Sequence, residues 1–451
     1  MPVVAPRPSV AEAATDPGPT GFREVLRGKD FRLLWGAQVA AQLGDKFFAF
    51  SLLLSIYALT HRYLSDAALL LAYTIPAVFL SIPAGIFADR YDKKTLMIWT
   101  NLSRGLMVLG VPVLELTGVA QRQVLPLYVI TFIFAGVGQL FAPAEAASIP
   151  QLVKRADLSA ATSLFTITII VTIVLSVPLA SVAQRLLGLE GPYYFGAALF
   201  AGASGAIWLI RPKLHAASTS DGQQLRAPWS STWSEISATL RTIQASDVLP
   251  FAFGMLTLAL AIVFTIFALS AGYMQHVLLS RPQNSYILLI PATVGMVVAG
   301  TVLGRRPSSE AHGPVVVVRG LGLAGVAMLV LGVLPPILSR LGIDGALVPL
   351  AIVLAVIFGV GLGAVLIPCL TMIQEETEQA SRGKIFGGAF LAINLAIAVP
   401  LLVAGAIADA VGASDVLGAL GLALIGIASV AWVRSWGVAS SGTPPAPVTA
   451  A

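Results

Sequence analysis

Gly85-Ile86-Phe87-Ala88-Asp89-Arg90-Tyr91-Asp92-Lys93-Lys94 stands between two long apolar runs, 67–87 and 95–117, and five of its last six residues are charged. An apolar run of about 20 residues is the length of a helix that crosses a bilayer. A short charged knot between two such runs therefore reads as a loop held at a membrane surface. The same pattern continues in both directions. Apolar runs fall near 33–59, 67–87, 95–117, 125–146, 160–186 and 192–210, then near 248–277, 285–303, 315–338, 346–372, 385–408 and 415–435. The expected fold class is an all-α polytopic membrane protein with twelve transmembrane helices.

Composition agrees with this count. Of 451 residues, 57% are hydrophobic and 11% charged, whereas a soluble domain carries about 25% charged residues. Twelve helices of bilayer length use about 240 positions, which accounts for the apolar excess. The net charge of +5 is read as membrane topology, and no nucleic-acid partner is expected. When Lys and Arg are sorted by alternating loops, twenty fall on the side of the N-terminus and five on the other, with Lys46 and Arg104 inside spans. Positive loops stay in the cytoplasm during insertion. The expectation is a multi-pass protein of the cytoplasmic (inner) membrane with both termini cytoplasmic.

A polar stretch between residues 211 and 248 divides the spans into six and six. The expected organisation is a disordered tail over 1–30, a six-helix bundle over 31–211, a cytoplasmic linker over 212–247, a second bundle over 248–436 and a disordered tail over 437–451. Within the linker, Trp229, Trp233, Ile236, Leu240 and Ile243 recur every three or four residues. Such a helix lies along the membrane surface or packs on the end of the bundle.

The two halves repeat weakly. Gly300-Thr301-Val302-Leu303-Gly304-Arg305-Arg306 occupies the second break of its half, as Gly85 to Lys94 does in the first. Repeats of this kind mark duplicated transporters with a site between the halves. The stretch from Gly85 to Lys94 resembles the loop signature of the major facilitator superfamily, Gly-x-x-x-Asp-Arg-x-Gly-basic-basic, and the span layout resembles that fold of two pseudo-symmetric six-helix bundles. Gln42-Leu43-Gly44-Asp45, the segment from Phe141 to Val153 and the segment from Ile373 to Gly387 are similar to the drug:proton antiporter and siderophore-exporter branch, with lysophospholipid transporters as more distant relatives. The departures are Asp92 in place of the loop glycine, Val177-Pro178-Leu179-Ala180-Ser181 in place of a glycine-rich antiporter segment, and Phe132 in place of an intramembrane arginine. Asp92 is expected to adopt a left-handed turn.

Charged groups deep in a bilayer face a cavity or a partner because exposure to lipid is costly. Asp45, Lys46 and Arg104 are therefore the candidate substrate and proton-coupling residues. Adjacent residues diverge by about 100° on a helix, so Asp45 and Lys46 are not expected to face one partner together. Asp45 pairs with Arg104 in one state and takes a proton or a cationic group in another; the alternative is a permanent network that only fixes helix packing. The resemblance implies a cytoplasmic gate of Gly85, Asp89, Arg90, Lys93, Lys94 and Glu145. In it, Asp89 caps span 11 near Lys384 and Ile385, and Arg90 pairs with Glu145; the alternative is a solvated charge run.

The second half carries scattered polar groups, Thr257, Thr265, Gln275, Thr293 and Asn394. One charged wall and one apolar wall suit a small amphipathic substrate, with Phe47, Phe48, Phe50, Phe264, Phe267 and Met255 as candidate lining residues. No Walker loop occurs, His61, His215, His276 and His312 are scattered, and Cys369 is the single cysteine. Neither an ATP-driven pump nor an enzyme is expected, and no metal or other cofactor. The resemblance implies an exporter, proton-coupled and monomeric, partnered by its substrate, protons and membrane lipids. The alternatives are a lysophospholipid transporter and a non-transporting receptor or assembly protein on the same scaffold.

Overall fold

A computed structural model describes residues 22–154, 157–211, 214, 241, 243–246, 248–303, 313–377 and 379–440. Its long helices are α1 (Lys29–Thr60), α2 (Tyr63–Arg90), α3 (Lys93–Leu116), α4 (Leu125–Gly138), α5 (Phe141–Leu152), α6 (Leu158–Leu187) and α7 (Gly191–Trp208) in the first half. The second half contains α8 (Leu249–His276), α9 (Tyr286–Leu303), α10 (Pro314–Arg340), α11 (Leu347–Glu376), α12 (Gln379–Val411) and α13 (Ala413–Ser440). With α4 and α5 taken together as one span, all twelve expected spans are helical. Among the described residues, ten segments are long and apolar enough to cross a membrane by themselves. Helices suit this composition because a backbone in hydrocarbon must satisfy its own hydrogen bonds.

The fourth span is broken where α4 ends and α5 begins. Pro143 lacks the N–H that would bond the carbonyl of Gln139. The chain there makes short-range bonds instead, from Gln139 N to Gly136 O and from Leu140 N to Val137 O. Two ends of the molecule are defined by contacts between distant segments. At one, Arg211 N donates to Asp30 Oδ1 at 3.0 Å and Lys94 Nζ to Ile210 O at 2.7 Å. At the other, Tyr128 Oη donates to Ser65 O at 3.1 Å, and the Ser55 and Tyr193 hydroxyls lie 3.0 Å apart. The first is the basic end, the second the far end.

Helix faces sort as a membrane bundle requires. On α3, Trp99, Leu106, Val113 and Leu116 are exposed at helical spacing, while Met97, Asn101, Arg104, Val108 and Val111 are buried. The apolar outer face meets lipid and the face carrying Arg104 turns inward. In the second half, helices meet backbone to backbone at glycines. A Cβ on Gly361 of α11 would lie 2.7 Å from the Gly320 carbonyl oxygen of α10, and one on Gly363 would lie 3.1 Å from Met296 O of α9. Small residues permit this close approach, and packing rather than hydrophobicity holds helices together in lipid.

Short contacts and helical turns flank the first and last spans. Phe22–Val25 form a helical turn with Val25 buried, α1 starts at Lys29, and Asp30 is tied to Arg211; at the other terminus α13 continues to Ser440. The proposed amphipathic helix at Trp229–Ile243 lies outside the described residues, apart from Arg241 and Ile243.

Candidate functional site

The Asp45 carboxylate is the centre of a four-residue cluster in the first half. Arg104 Nη2 donates to Oδ1 and Tyr73 Oη donates to Oδ2, while Lys46 Nζ lies 2.9 Å from Oδ2. Three helices supply it: α1 brings Asp45 and Lys46, α2 brings Tyr73 and α3 brings Arg104. Asp45 and Arg104 are both buried. Lys46 thus reaches the same carboxylate as Arg104 through its long flexible stem, bonding Oδ2 where Arg104 bonds Oδ1. Its side chain is 26% exposed, against 7% for Arg104, so Lys46 is the accessible pole of the cluster.

Arg104 is also gripped by aromatic faces. Its Cζ lies 4.2 Å from the Phe134 ring centre and 4.7 Å from that of Phe200. Gly138 makes room, since a Cβ there would sit 3.3 Å from Arg104 Cζ. Such stacking suits a planar guanidinium and holds it in register with Asp45. Tyr73 was not expected from the sequence. Its only signal was a phenol inside an apolar span, where a buried hydroxyl needs a partner.

The gate residues are placed differently from one another. The backbones of Gly85 and Asp89 lie in the last turns of α2, and Arg90 is exposed at its end. Glu145 on α5 is buried, and among the described residues its Oε1 has no hydrogen-bond partner. Among the described residues no ion pair joins Arg90 to Glu145. One side chain points to solvent and the other into the bundle. Lys94 donates to the Ile210 carbonyl just beyond α7, where a cation also complements the negative helix end, and Lys93 N donates to Leu214 O at 3.1 Å. The first contact stays within the first half and the second reaches the start of the linker. Asp92 is not left-handed: with φ −59° and ψ 119° it is the N-cap of α3, and its carboxylate accepts from Thr95 N at 2.7 Å. The side-chain surroundings of Asp89, Lys384 and Ile385 lie outside the description.

In the second half an apolar cavity of about 190 Å³ lies among α8, α9, α10 and α11, walled by Val263, Phe267, Met296, Met328, Phe358 and Leu362, with Ser270, Tyr273 and Thr293 as its polar groups. Of the expected lining residues, Phe267 lies on this wall and stacks at 5.7 Å on Phe50 of α1. Phe47 packs on Phe195 and Phe48 on Phe134, so both are structural within the first half.

The fold defines a multi-pass helical membrane protein of transporter architecture. The sequence profile of the Major Facilitator Superfamily matches residues 34–399, and the chain belongs to that superfamily. It is 23% identical over 398 residues to YfiS of Bacillus subtilis, an uncharacterised MFS-type transporter, covering 86% of this chain and 88% of that one. Over 143 residues it is 31% identical to BacE of the same organism, which carries the name of a bacilysin exporter, covering 31% of this chain and 34% of that one. Similar solved structures include a bacterial homologue of the human lysosomal transporter Spinster, with a TM-score of 0.64 at 12% identity over 93% of this chain and 99% of that one. The nucleoside transporter NupG gives 0.63 at 14% identity over 89% and 98%.

Proposed function

We propose that this protein is a secondary active exporter of small amphipathic compounds, acting as a monomer in the cytoplasmic membrane with both termini inside and driven by protons. The observation that carries this reading is the division of polarity: a buried ionic cluster in the first half and an apolar cavity in the second. An amphipathic molecule places its polar group at the cluster and its apolar body against the other wall. A sugar would need hydrogen-bonding partners on both. The cluster has two cationic side chains for one carboxylate, with Lys46 as the accessible pole, so an acidic or zwitterionic head group fits better than a simple cation. The partial likeness to BacE supports export as the direction.

Coupling follows from the same carboxylate. Asp45 holds Arg104 and Tyr73 in one state; protonation weakens these charge-assisted bonds and lets the three helices that meet there shift. The test is efflux of cationic, zwitterionic and anionic amphiphilic dyes from energised cells lacking their own pumps. Wild type is compared with Asp45→Asn at equal membrane abundance, with and without a protonophore. Protonophore-sensitive efflux by wild type and its loss in Asp45→Asn are the expected results. Efflux unchanged by the substitution would reduce the cluster to packing, and movement of lysophospholipid without any dye would replace drug export by lipid transport.

A further inference from the structure

Asp66 is fully buried in the first turn of α2, and among the described residues neither of its carboxylate oxygens has a hydrogen-bond partner. The site lies at the far end of the molecule, on the seam between the two halves. There Asp409, near the end of α12, accepts from Tyr63 N at 2.6 Å and from Leu64 N at 3.2 Å. The N-cap of α2, Arg62, supplies no side-chain cap of its own, so a carboxylate from the opposite half caps this helix. Gly405 allows the approach: a Cβ there would lie 3.0 Å from Tyr63 O and from Ala67 Cβ. Two carboxylates thus share one helix N-terminus. Asp409 is exposed and hydrogen-bonded; Asp66 is neither.

Among the described residues, the groups around Asp66 offer no compensating cation. The rings of Tyr57 on α1 and Tyr63 lie 5.5 Å apart, Gly272 of α8 packs on both, and Tyr128 of α4 spends its hydroxyl on Ser65 O. His61 and Arg62 are exposed and form no ion pair with either acid among the described residues. An ionised carboxylate buried without donors, beside a second one, is strongly unfavourable, and a neutral carboxyl there is far less so. The geometry points to Asp66 as a proton-binding site of the interface between α2 and α12. The proton is held while the far end is closed and released to water when the two helices part. Closure therefore takes up a proton, and opening gives one back. By linkage, raising the pH favours the open interface and lowering it favours the closed one.

The inference rests on the proposed reading as a transporter whose helices shift between two states, but its test needs no transported compound. Spin labels at Arg62→Cys and Val411→Cys, on a Cys369→Ala background in lipid nanodiscs, report the separation of α2 and α12 by pulsed electron resonance. A single short distance in acidic buffer and a growing longer one in alkaline buffer are expected. Asp66→Asn is expected to keep the short distance throughout. Asp409→Asn, which removes the neighbouring charge and weakens the cap, moves the midpoint to lower pH and serves as the second variant if Asp66→Asn does not yield monodisperse protein. A distance distribution that ignores pH in the wild type, a normal titration in Asp66→Asn, or an unmoved midpoint in Asp409→Asn would each overturn the proposal. Those outcomes leave the efflux assay untouched, and a failed efflux assay leaves the distances readable.

Discussion

Arg104 of α3 donates to Asp45 of α1, and it does so while its guanidinium lies over the edge-to-face rings of Phe134 and Phe200. The pair is thus part of the packing of the first half as well as its charged centre. Removing Asp45 leaves Arg104 buried and unmatched, which costs about 3–5 kcal/mol for pairs of this kind, and removing Arg104 strips the carboxylate of its buried cation and leaves it only Lys46 and Tyr73. Arg104→Ala should lower the thermal unfolding midpoint in detergent sharply. Joining Asp45→Asn to Arg104→Gln should cost clearly less than the sum of the single changes, and additive losses would show that the two residues do not interact.

Tyr73 and Lys46 should separate stability from accessibility. Tyr73→Phe deletes a hydrogen bond to a charged acceptor, worth about 1.5–3 kcal/mol, so both unfolding temperature and efflux should fall. Lys46 is partly exposed, and ion pairs of that sort contribute about 0–1 kcal/mol. Lys46→Ala should leave the melting curve nearly unchanged while altering which head groups are exported. Equal effects on both readouts from both variants would contradict this division.

Asp92 tests whether its departure from the loop signature is structural. As the N-cap of α3 it accepts from Thr95 N. Asp92→Ala should cost about 0.5–2 kcal/mol, whereas Asp92→Asn or Asp92→Ser should recover most of it. A glycine at this position should cost only a few tenths. Thermal melts of the four variants in one detergent decide the matter.

The glycine seams of the second half make a sharper contrast. Gly361 faces the backbone of α10, whereas Gly426 on α13 has nothing within 4 Å of a Cβ. Gly361→Val should abolish folded protein in the membrane fraction, because backbone cannot yield as a side-chain tip can. Gly426→Val should accumulate normally. Fluorescence-detected size exclusion of the two variants reads the difference directly.

Much of the fold was legible because hydrophobic length and the backbone's need for internal hydrogen bonds act locally. Twelve apolar runs became twelve helical spans, and the glycines of α11 sit where close helix contacts require them. The site was legible only in part. Asp45, Lys46 and Arg104 stood out because charge inside an apolar run is expensive wherever the helix finally packs. Tyr73 did not, since a tyrosine in a span looks like any other aromatic until its hydroxyl finds a carboxylate. Asp66 and Asp409 were hidden for a related reason: each sits close to a span end, where an acid reads as ordinary loop polarity.

The sequence by itself determined which segments enter the membrane, the division of the basic residues and the charges that cannot face lipid. These follow from the free energy of single segments in hydrocarbon and water. Tertiary structure alone decided that Lys46 curls onto the same carboxylate as Arg104, that Lys94 holds α7 instead of the opposite half, and that Asp409 caps a helix 346 residues away. Those relations depend on how helices rotate and cross, which is set by shape and packing between segments and leaves no period in the chain.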